Sequence, residues 1–179
     1  MHKLENPLRV AELSPAGTLK RLGLAPGKRF LDVGAGTGLF AFEAAKISAE
    51  TVYAVEVSPE MLRYLGDRAQ REGSGNVRVV AGVENVPDGE SDLALLCTVL
   101  HELRQPGEVL KHIRRALTPS GRLAVIEFHG RRTPMGPPET VRIGEEQAER
   151  LLTDAGFRVE GAYSLGENFY CLTALPLSR

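Results

Sequence analysis

The chain of 179 residues contains no tryptophan, few aromatic side chains (6%) and only two cysteines. Cys97 and Cys171 are too few and too widely separated for a disulfide framework or a zinc site, and read as small thiols within strands. No stretch reaches the roughly 18 apolar residues of a membrane span, and the N-terminus lacks the apolar core of a signal peptide. A cytoplasmic location is therefore the expectation. Charge is balanced, 22 Lys and Arg against 23 Asp and Glu, with no basic block. That argues against the electrostatic footprint of a nucleic-acid binder. Hydrophobic residues make up 42%, enough for one core in a chain of this length.

Glycine, by contrast, is plentiful, and it gathers at one informative place. Phe30-Leu31-Asp32-Val33 reads as a buried strand that stops at Gly34-Ala35-Gly36-Thr37-Gly38. A second apolar run, Val52 to Val55, ends on Glu56. A glycine turn after one strand and an acid at the tip of the next are how an open α/β sheet holds a nucleoside cofactor. The turn lets backbone approach the ligand, and the acid accepts from ribose hydroxyls. The spacing is G-x-G-x-G, one residue short of the usual dinucleotide turn, which removes room for a pyrophosphate. Asp32 at the strand–turn junction suits a ligand that carries positive charge.

Along the chain, strands are expected at 29–33, 51–56, 77–81, 92–97 and 122–128. Helices are expected at 38–48, from Ser58-Pro59 to about Arg71, and at 106–117, closed by Pro119-Ser120-Gly121. A short helical pattern runs from Leu13 to Leu24, punctuated by Pro7, Pro15 and Pro26. Strands alternating with helices imply βαβ units and a parallel sheet with right-handed crossovers. After an Arg-, Gly- and Pro-rich loop at 129–138 comes a helix at 144–155. Two strands, 157–163 and 169–174, follow closely enough to pair as an antiparallel hairpin.

Leu31-Asp32-Val33-Gly34-Ala35-Gly36-Thr37-Gly38 resembles the first motif of class I S-adenosylmethionine-dependent methyltransferases. The resemblance continues through Val55-Glu56-Val57-Ser58, Ser91-Asp92-Leu93 and the run from Arg115 to Leu123. Asn6-Pro7-Leu8-Arg9, Val99-Leu100-His101-Glu102-Leu103 and Met135-Gly136-Pro137-Pro138 are similar to the ubiquinone/menaquinone C-methyltransferase-like (methyltransferase type 11) subgroup. It implies an α/β, Rossmann-like fold with a seven-stranded, mostly parallel sheet ordered 3-2-1-4-5-7-6 and flanked by helices. It also implies an N-terminal covering segment, residues 1–28, before a methyltransferase domain at 29–179. The implied activity is methyl transfer from S-adenosyl-L-methionine, with S-adenosyl-L-homocysteine as product, to a small-molecule acceptor, by a monomer or homodimer.

The same resemblance assigns site residues. Asp32 orients the methionine ammonium, and the turn of Gly34, Ala35, Gly36 and Gly38 borders that moiety. Glu56 takes the ribose hydroxyls. Val57 and Met61 pack on adenine, or belong simply to the core. Val83 stands where the family often has an acid for the adenine amine, which leaves backbone at Val83 and Glu84, or the Glu84 side chain, to read that edge. The Cys97 carbonyl accepts from the ammonium.

The end of the fourth strand is the usual crevice in such a sheet, and His101 and Glu102 there are candidates for proton handling. They read equally as a loop-packing histidine and a helix-start acid. His129, beside Glu127, is a third candidate or plain loop surface, and Arg131 and Arg132 are a lure for anions or simply solvated. Either the N-terminal segment or the Gly136-Pro137-Pro138 loop is long enough to cover the site.

Two other readings stay open. A nicotinamide-dependent Rossmann oxidoreductase needs the longer glycine turn and an active-site pair that is not evident. A non-catalytic S-adenosylmethionine-binding subunit fits the valine at position 83. Strings typical of adenine or glutamine amino-methylation, of cytosine C5 methylation and of a catechol-type magnesium site are absent from the sequence.

Overall fold

The computed structural model describes residues 6–178. Seven strands form one sheet: β1 (Phe30–Val33), β2 (Val52–Glu56), β3 (Val77–Ala81), β4 (Ser91–Cys97), β5 (Leu117–Phe128), β6 (Phe157–Leu165) and β7 (Phe169–Pro176). Their order is β3-β2-β1-β4-β5-β7-β6. The five strands from β3 to β5 run parallel, and β7 lies antiparallel to both β5 and β6. The 157–174 hairpin is therefore inserted with its second strand against β5, as the sheet order implied by the family resemblance requires.

Six helices cover the sheet: α1 (Pro7–Leu13), α2 (Pro15–Arg21), α3 (Leu39–Ile47), α4 (Pro59–Glu72), α5 (Pro106–Ala116) and α6 (Glu145–Asp154). Alternation along the central strands sends Phe30, Ala54, Leu93 and Leu95 to one core, with Leu19, Phe40, Phe42 and Leu65 from the helices on that face. Leu31, Val33, Ala94 and Leu96 face a second core, with Leu110 and Ile113 from α5 and Leu152 from α6. Strands covered on both faces have no polar face to show, which is why β4 reads as a continuous apolar run from Leu93 to Cys97.

The N-terminal segment differs from its reading in the sequence. Pro7 and Pro15 do not interrupt one helix; each sits at the first position of its own, where a missing N–H is harmless. The break falls at Ser14, held left-handed at φ 40. Leu13, Leu19, Leu22 and Leu24 are buried in the first core, so much of this segment is core rather than cover. Residues 1–5 of the expected covering segment lie outside the described residues.

A second difference concerns Pro119-Ser120-Gly121. Helix α5 ends at Ala116 and β5 begins at once, so these residues lie within the strand. The pairing steps from Ser91↔Leu117 to Leu93↔Arg122, and the extra residues bulge outward. Two strand-end carbonyls crowd Gly121, where a Cβ would stand 3.0 Å from the Ser91 carbonyl oxygen and 3.1 Å from that of Thr118.

Chain direction reverses between β1 and β4: the crossover after β1 leads outward to β2, and the one after β3 returns to β4. Such a switch point opens a crevice at the carboxyl ends of the strands. Gly38 sets the geometry there. It precedes α3 at φ 83, and a Cβ on it would sit 2.5 Å from the Phe42 ring and 2.9 Å from Leu65. Both the backbone angle and the space exclude a side chain. Gly38→Ala is expected to lower the unfolding free energy by about 2 kcal/mol or more, read from urea denaturation; an unchanged midpoint would mean the turn relaxes freely.

Candidate functional site

The crevice is a cavity of about 820 Å³ at the carboxyl ends of β1, β2, β4 and β5. It is within the range of cofactor sites. Of the residues singled out in the sequence, Asp32, Gly34, Ala35, Gly36, Glu56, Val57, Met61, Val83, Glu84, Cys97, His101 and Glu102 line it. Gly38 does not; it serves the packing of α3 described above. His129 does not line it either.

The glycine turn is suspended from the neighbouring strand. The amides of Gly34 and Ala35 both donate to the Val55 carbonyl at 2.9 Å. The Gly36 amide donates to Glu56 Oε2 at 3.0 Å. The other Glu56 oxygen accepts from the amides of Val57 and Ser58 at 2.7 and 3.1 Å. A single carboxylate thus fixes both the turn after β1 and the turn after β2. Gly34, at φ 75, has Val99 so close that any Cβ would collide with its methyl groups.

Asp32 is 3% exposed, and its Oδ2 accepts from the Ala41 amide in the first turn of α3 at 3.0 Å. Burial pushes its carboxyl up to about 7; the Ala41 bond opposes this, and the nearby Glu56 charge adds to it. An acid held this far from water favours a cation beside it. Burial likewise pushes the Cys97 thiol up to about 12, so it stays neutral.

Beyond β3 the acid question has a local answer. Val83 is buried in the second core, within a 3-10 turn over Val83–Asn85. Glu84 is the acid at the cavity: its carboxylate folds over Gly82, which is held at φ 84 and leaves no room for a Cβ.

Past β4, Thr98 is left-handed at φ 56, which is rare for a β-branched residue and concentrates strain at the crevice. Its hydroxyl accepts from Arg9 Nη2 at 2.9 Å. His101 Nδ1 lies 2.8 and 2.9 Å from the two oxygens of Glu127, whose side chain is fully buried. Sequence reading put Glu127 beside His129; the structure instead pairs it with His101. His129 turns to the other side, against Tyr170, with Nδ1 2.7 Å from Glu145.

The cover is built from distant pieces that no local pattern joins. Glu12 on α1 accepts from the backbone and side-chain nitrogens of Asn168 in the β6–β7 turn, both at 2.6 Å. Asn168 Oδ1 in turn accepts from the Met135 amide. Arg142 gathers the 129–138 loop by donating to the carbonyls of His129, Arg131, Met135 and Pro137. Asn6, Arg9, Phe128, Met135, Gly136 and Pro137 consequently line the cavity beside the cofactor-type residues. Arg9, Thr98 and Phe128 are cavity residues that sequence reasoning missed as site residues. The Arg9 motif was legible, but its partner 89 positions away was not. Among the described residues there is no cluster of three His, Cys, Asp or Glu placed to hold a metal ion, and no helix is long and apolar enough to cross a membrane.

Residues 31–125 match the methyltransferase domain family, more than half of the chain, and the chain belongs to that family. The fold is that of S-adenosylmethionine-dependent methyltransferases. The chain is similar over 98% of its length to the crystal structure of a SAM-dependent methyltransferase from Aquifex aeolicus, 96% of which is covered, with a TM-score of 0.91 and 30% identity. It is 36% identical over 114 residues to a demethylmenaquinone methyltransferase of Tropheryma whipplei, covering 63% of this chain and 47% of that protein. It is 32% identical over 124 residues to a ubiquinone/menaquinone biosynthesis C-methyltransferase of Laribacter hongkongensis, covering 67% and 51%. The chain spans about half the length of these two relatives.

The raised pKa of Asp32 carries a sign. Its folded value exceeds the unfolded one, so the folded state holds the proton more tightly, and stability declines as pH rises from about 4 through 7. Asparagine retains an acceptor for the Ala41 amide without the charge. Asp32→Asn is therefore expected to be more stable than the parent above pH 7, on the order of 1–3 kcal/mol, with the difference vanishing near pH 4. Thermal unfolding of both proteins across that range checks it; a pH-independent difference would contradict the assignment.

Proposed function

We propose that this chain transfers a methyl group from S-adenosyl-L-methionine to a small apolar acceptor. The observation that carries the reading is the paired arrangement of Glu56 and Asp32 around a turn whose Gly34 and Gly38 have no room for a side chain. Glu56 stands at the tip of β2, where a nucleoside's ribose diol can bond it. Asp32 is a buried acid that favours a cation, and the cofactor's ammonium and sulfonium supply positive charge. Cavity size and donor set therefore fit the cofactor.

In this reading Gly34, Ala35 and Gly36 border the methionine portion, with the Cys97 carbonyl facing its ammonium. Gly38 supports them from behind. Val57, 78% exposed and apolar at the cavity edge, packs on the adenine with Met61. Backbone at Val83 and the Glu84 carboxylate read the adenine edge. When bound, the cofactor supplies an electrophilic methyl on a sulfonium. The protein's task is to align the acceptor, exclude water and remove a proton where the acceptor carries one.

The acceptor end is lined by Val99, Leu103, Val109, Phe128, Met135 and Pro137. Those walls favour a planar apolar ring, and the similarity to enzymes named for menaquinone and ubiquinone methylation supports a quinone-like acceptor. We place the enzyme in the cytoplasm, working as a monomer or homodimer.

Calorimetric titration with S-adenosylmethionine and S-adenosylhomocysteine tests the reading, with NADH as the control. Both sulfur ligands are expected to bind and NADH is not. Glu56→Ala is expected to weaken both by about 2 kcal/mol or more, roughly thirtyfold, from the lost charged hydrogen bonds. Binding of NADH but neither sulfur ligand to the folded protein would favour the oxidoreductase. Sulfur ligands held without turnover of any apolar ring acceptor would favour a non-catalytic binding subunit.

A further inference from the structure

We propose that His101 is the proton acceptor of this site and Glu127 its positioning residue, so that the acceptor is a molecule whose nucleophilic atom gives up a proton. The inference rests on the methyltransferase reading and adds to it how the proton is handled.

The geometry begins with Glu127. It is fully buried at the end of β5, where an unpaired carboxylate is costly. Its oxygens accept from the backbone amides of His101 at 3.2 Å and Phe128 at 3.1 Å, and face His101 Nδ1 at 2.8 and 2.9 Å. A carboxylate only accepts, so Nδ1 must carry the proton of the neutral ring. That fixes the tautomer with the lone pair on Nε2. The Phe128 ring packs edge-on against the imidazole, with centroids 6.2 Å apart, and holds its plane. His101 itself lines the cavity. A base within reach of the reacting space, oriented by a buried carboxylate through its other nitrogen, is the arrangement proton abstraction requires.

The charges around the ring are those of Glu127, Glu102 and Arg142. Glu127 and Glu102 favour the protonated form and Arg142 opposes it; the hydrogen bond to Glu127 is the largest effect, and His101 is raised above its ordinary value. Glu102 Oε1 lies 3.9 Å from Nε2 on a largely exposed side chain, which offers the proton a way out to solvent. The second pair, His129 with Glu145, makes a single contact at 2.7 Å to a partly exposed carboxylate and lies outside the cavity.

In the step, the electron pair of the acceptor's X–H bond becomes available to form the new X–CH3 bond. The proton passes to His101 Nε2, leaving an imidazolium beside the Glu127 carboxylate, and the methyl's former bonding pair leaves with the sulfur of S-adenosylhomocysteine. Phenol- and enol-type acceptors need such a base. Tertiary amines and thioethers, which already present a lone pair, do not.

The test uses the full chain saturated with S-adenosylhomocysteine, and its binding is measured first. If that ligand fails to bind, the underlying reading fails rather than this inference. With it bound, imidazole nitrogen NMR is expected to show His101 protonated at Nδ1 when neutral, and Glu127→Gln is expected to lower its titration midpoint by about one pH unit. Turnover is then followed with a naphthol, a hydroquinone and a 1,3-diketone, against a tertiary amine and a thioether. His101→Gln is expected to slow the first group by about 100-fold or more, with S-adenosylhomocysteine affinity within about threefold of the parent. In Glu127→Gln the rising limb of the pH–rate profile is expected to move to lower pH. An Nε2-protonated neutral ring, a midpoint indifferent to Glu127→Gln, undiminished turnover by His101→Gln, or no turnover of the first group would each overturn the proposal.

Discussion

The site depends on a single carboxylate, that of Glu56, held against the amides of two successive turns. One oxygen fixes Gly36 in the turn after β1, and the other fixes Val57 and Ser58 after β2. This couples the ends of adjacent strands into one rigid rim. The Gly34 and Gly36 backbone lies along the cavity wall of this rim, with Ala35 and Thr37 beside it. Gly34 and Gly38 are required there for different reasons: Val99 occupies the space beside the first, and Phe42 and Leu65 the space beside the second. Hydrogen bonds to an ionised acceptor are stronger than neutral ones, so the rim keeps its shape without a ligand.

The rim is also where the protein is least comfortable. Asp32 is buried next to another acid, Thr98 is left-handed, and the Gly34–Gly38 turn holds three glycines at positive φ. The buried acid and the left-handed threonine oppose folding, and both line the crevice. The two packed cores on either face of β1 and β4 supply the stability that tolerates this. Function sits at the switch point because the chain there must diverge in two directions and leaves a crevice that neither core fills.

The cover over this crevice follows a different logic. It is not one lid but three segments tied by polar contacts: α1 through Glu12, the β6–β7 turn through Asn168, and the 129–138 loop through Met135 and Arg142. Asn168 is 3% exposed and meets partners from both other segments, which ties the three together. The cover borders the apolar Phe128–Pro137 end of the cavity, whereas the Gly34–Gly36 rim is held by strand ends.

The sequence by itself determined the parallel strands, the closing hairpin and the glycine turn with its strand-tip acid, because those are encoded locally; the order of the strands came only with the family resemblance. An apolar run between covered faces, a glycine turn and an acid at the next strand tip each lie within a few residues and obey short-range rules. It also pointed to the N-terminal segment, residues 1–28, and the Gly136-Pro137-Pro138 loop as candidate covers, and Asn6, Arg9, Gly136 and Pro137 line the cavity. Elements failed where long-range packing overrides local signals: Pro119-Ser120-Gly121 reads as a helix stop but is a bulge, since β4 pulls the chain into the sheet as soon as α5 ends. The pairing of side chains was decided only by tertiary structure. His101 and Glu127 are 26 positions apart, Arg9 and Thr98 are 89 apart, and Glu12 and Asn168 are 156 apart. No spacing rule reaches that far. His129, two residues from Glu127, pairs with Glu145 instead, because β5 ends at Phe128 and strand alternation no longer sets the direction of its side chain.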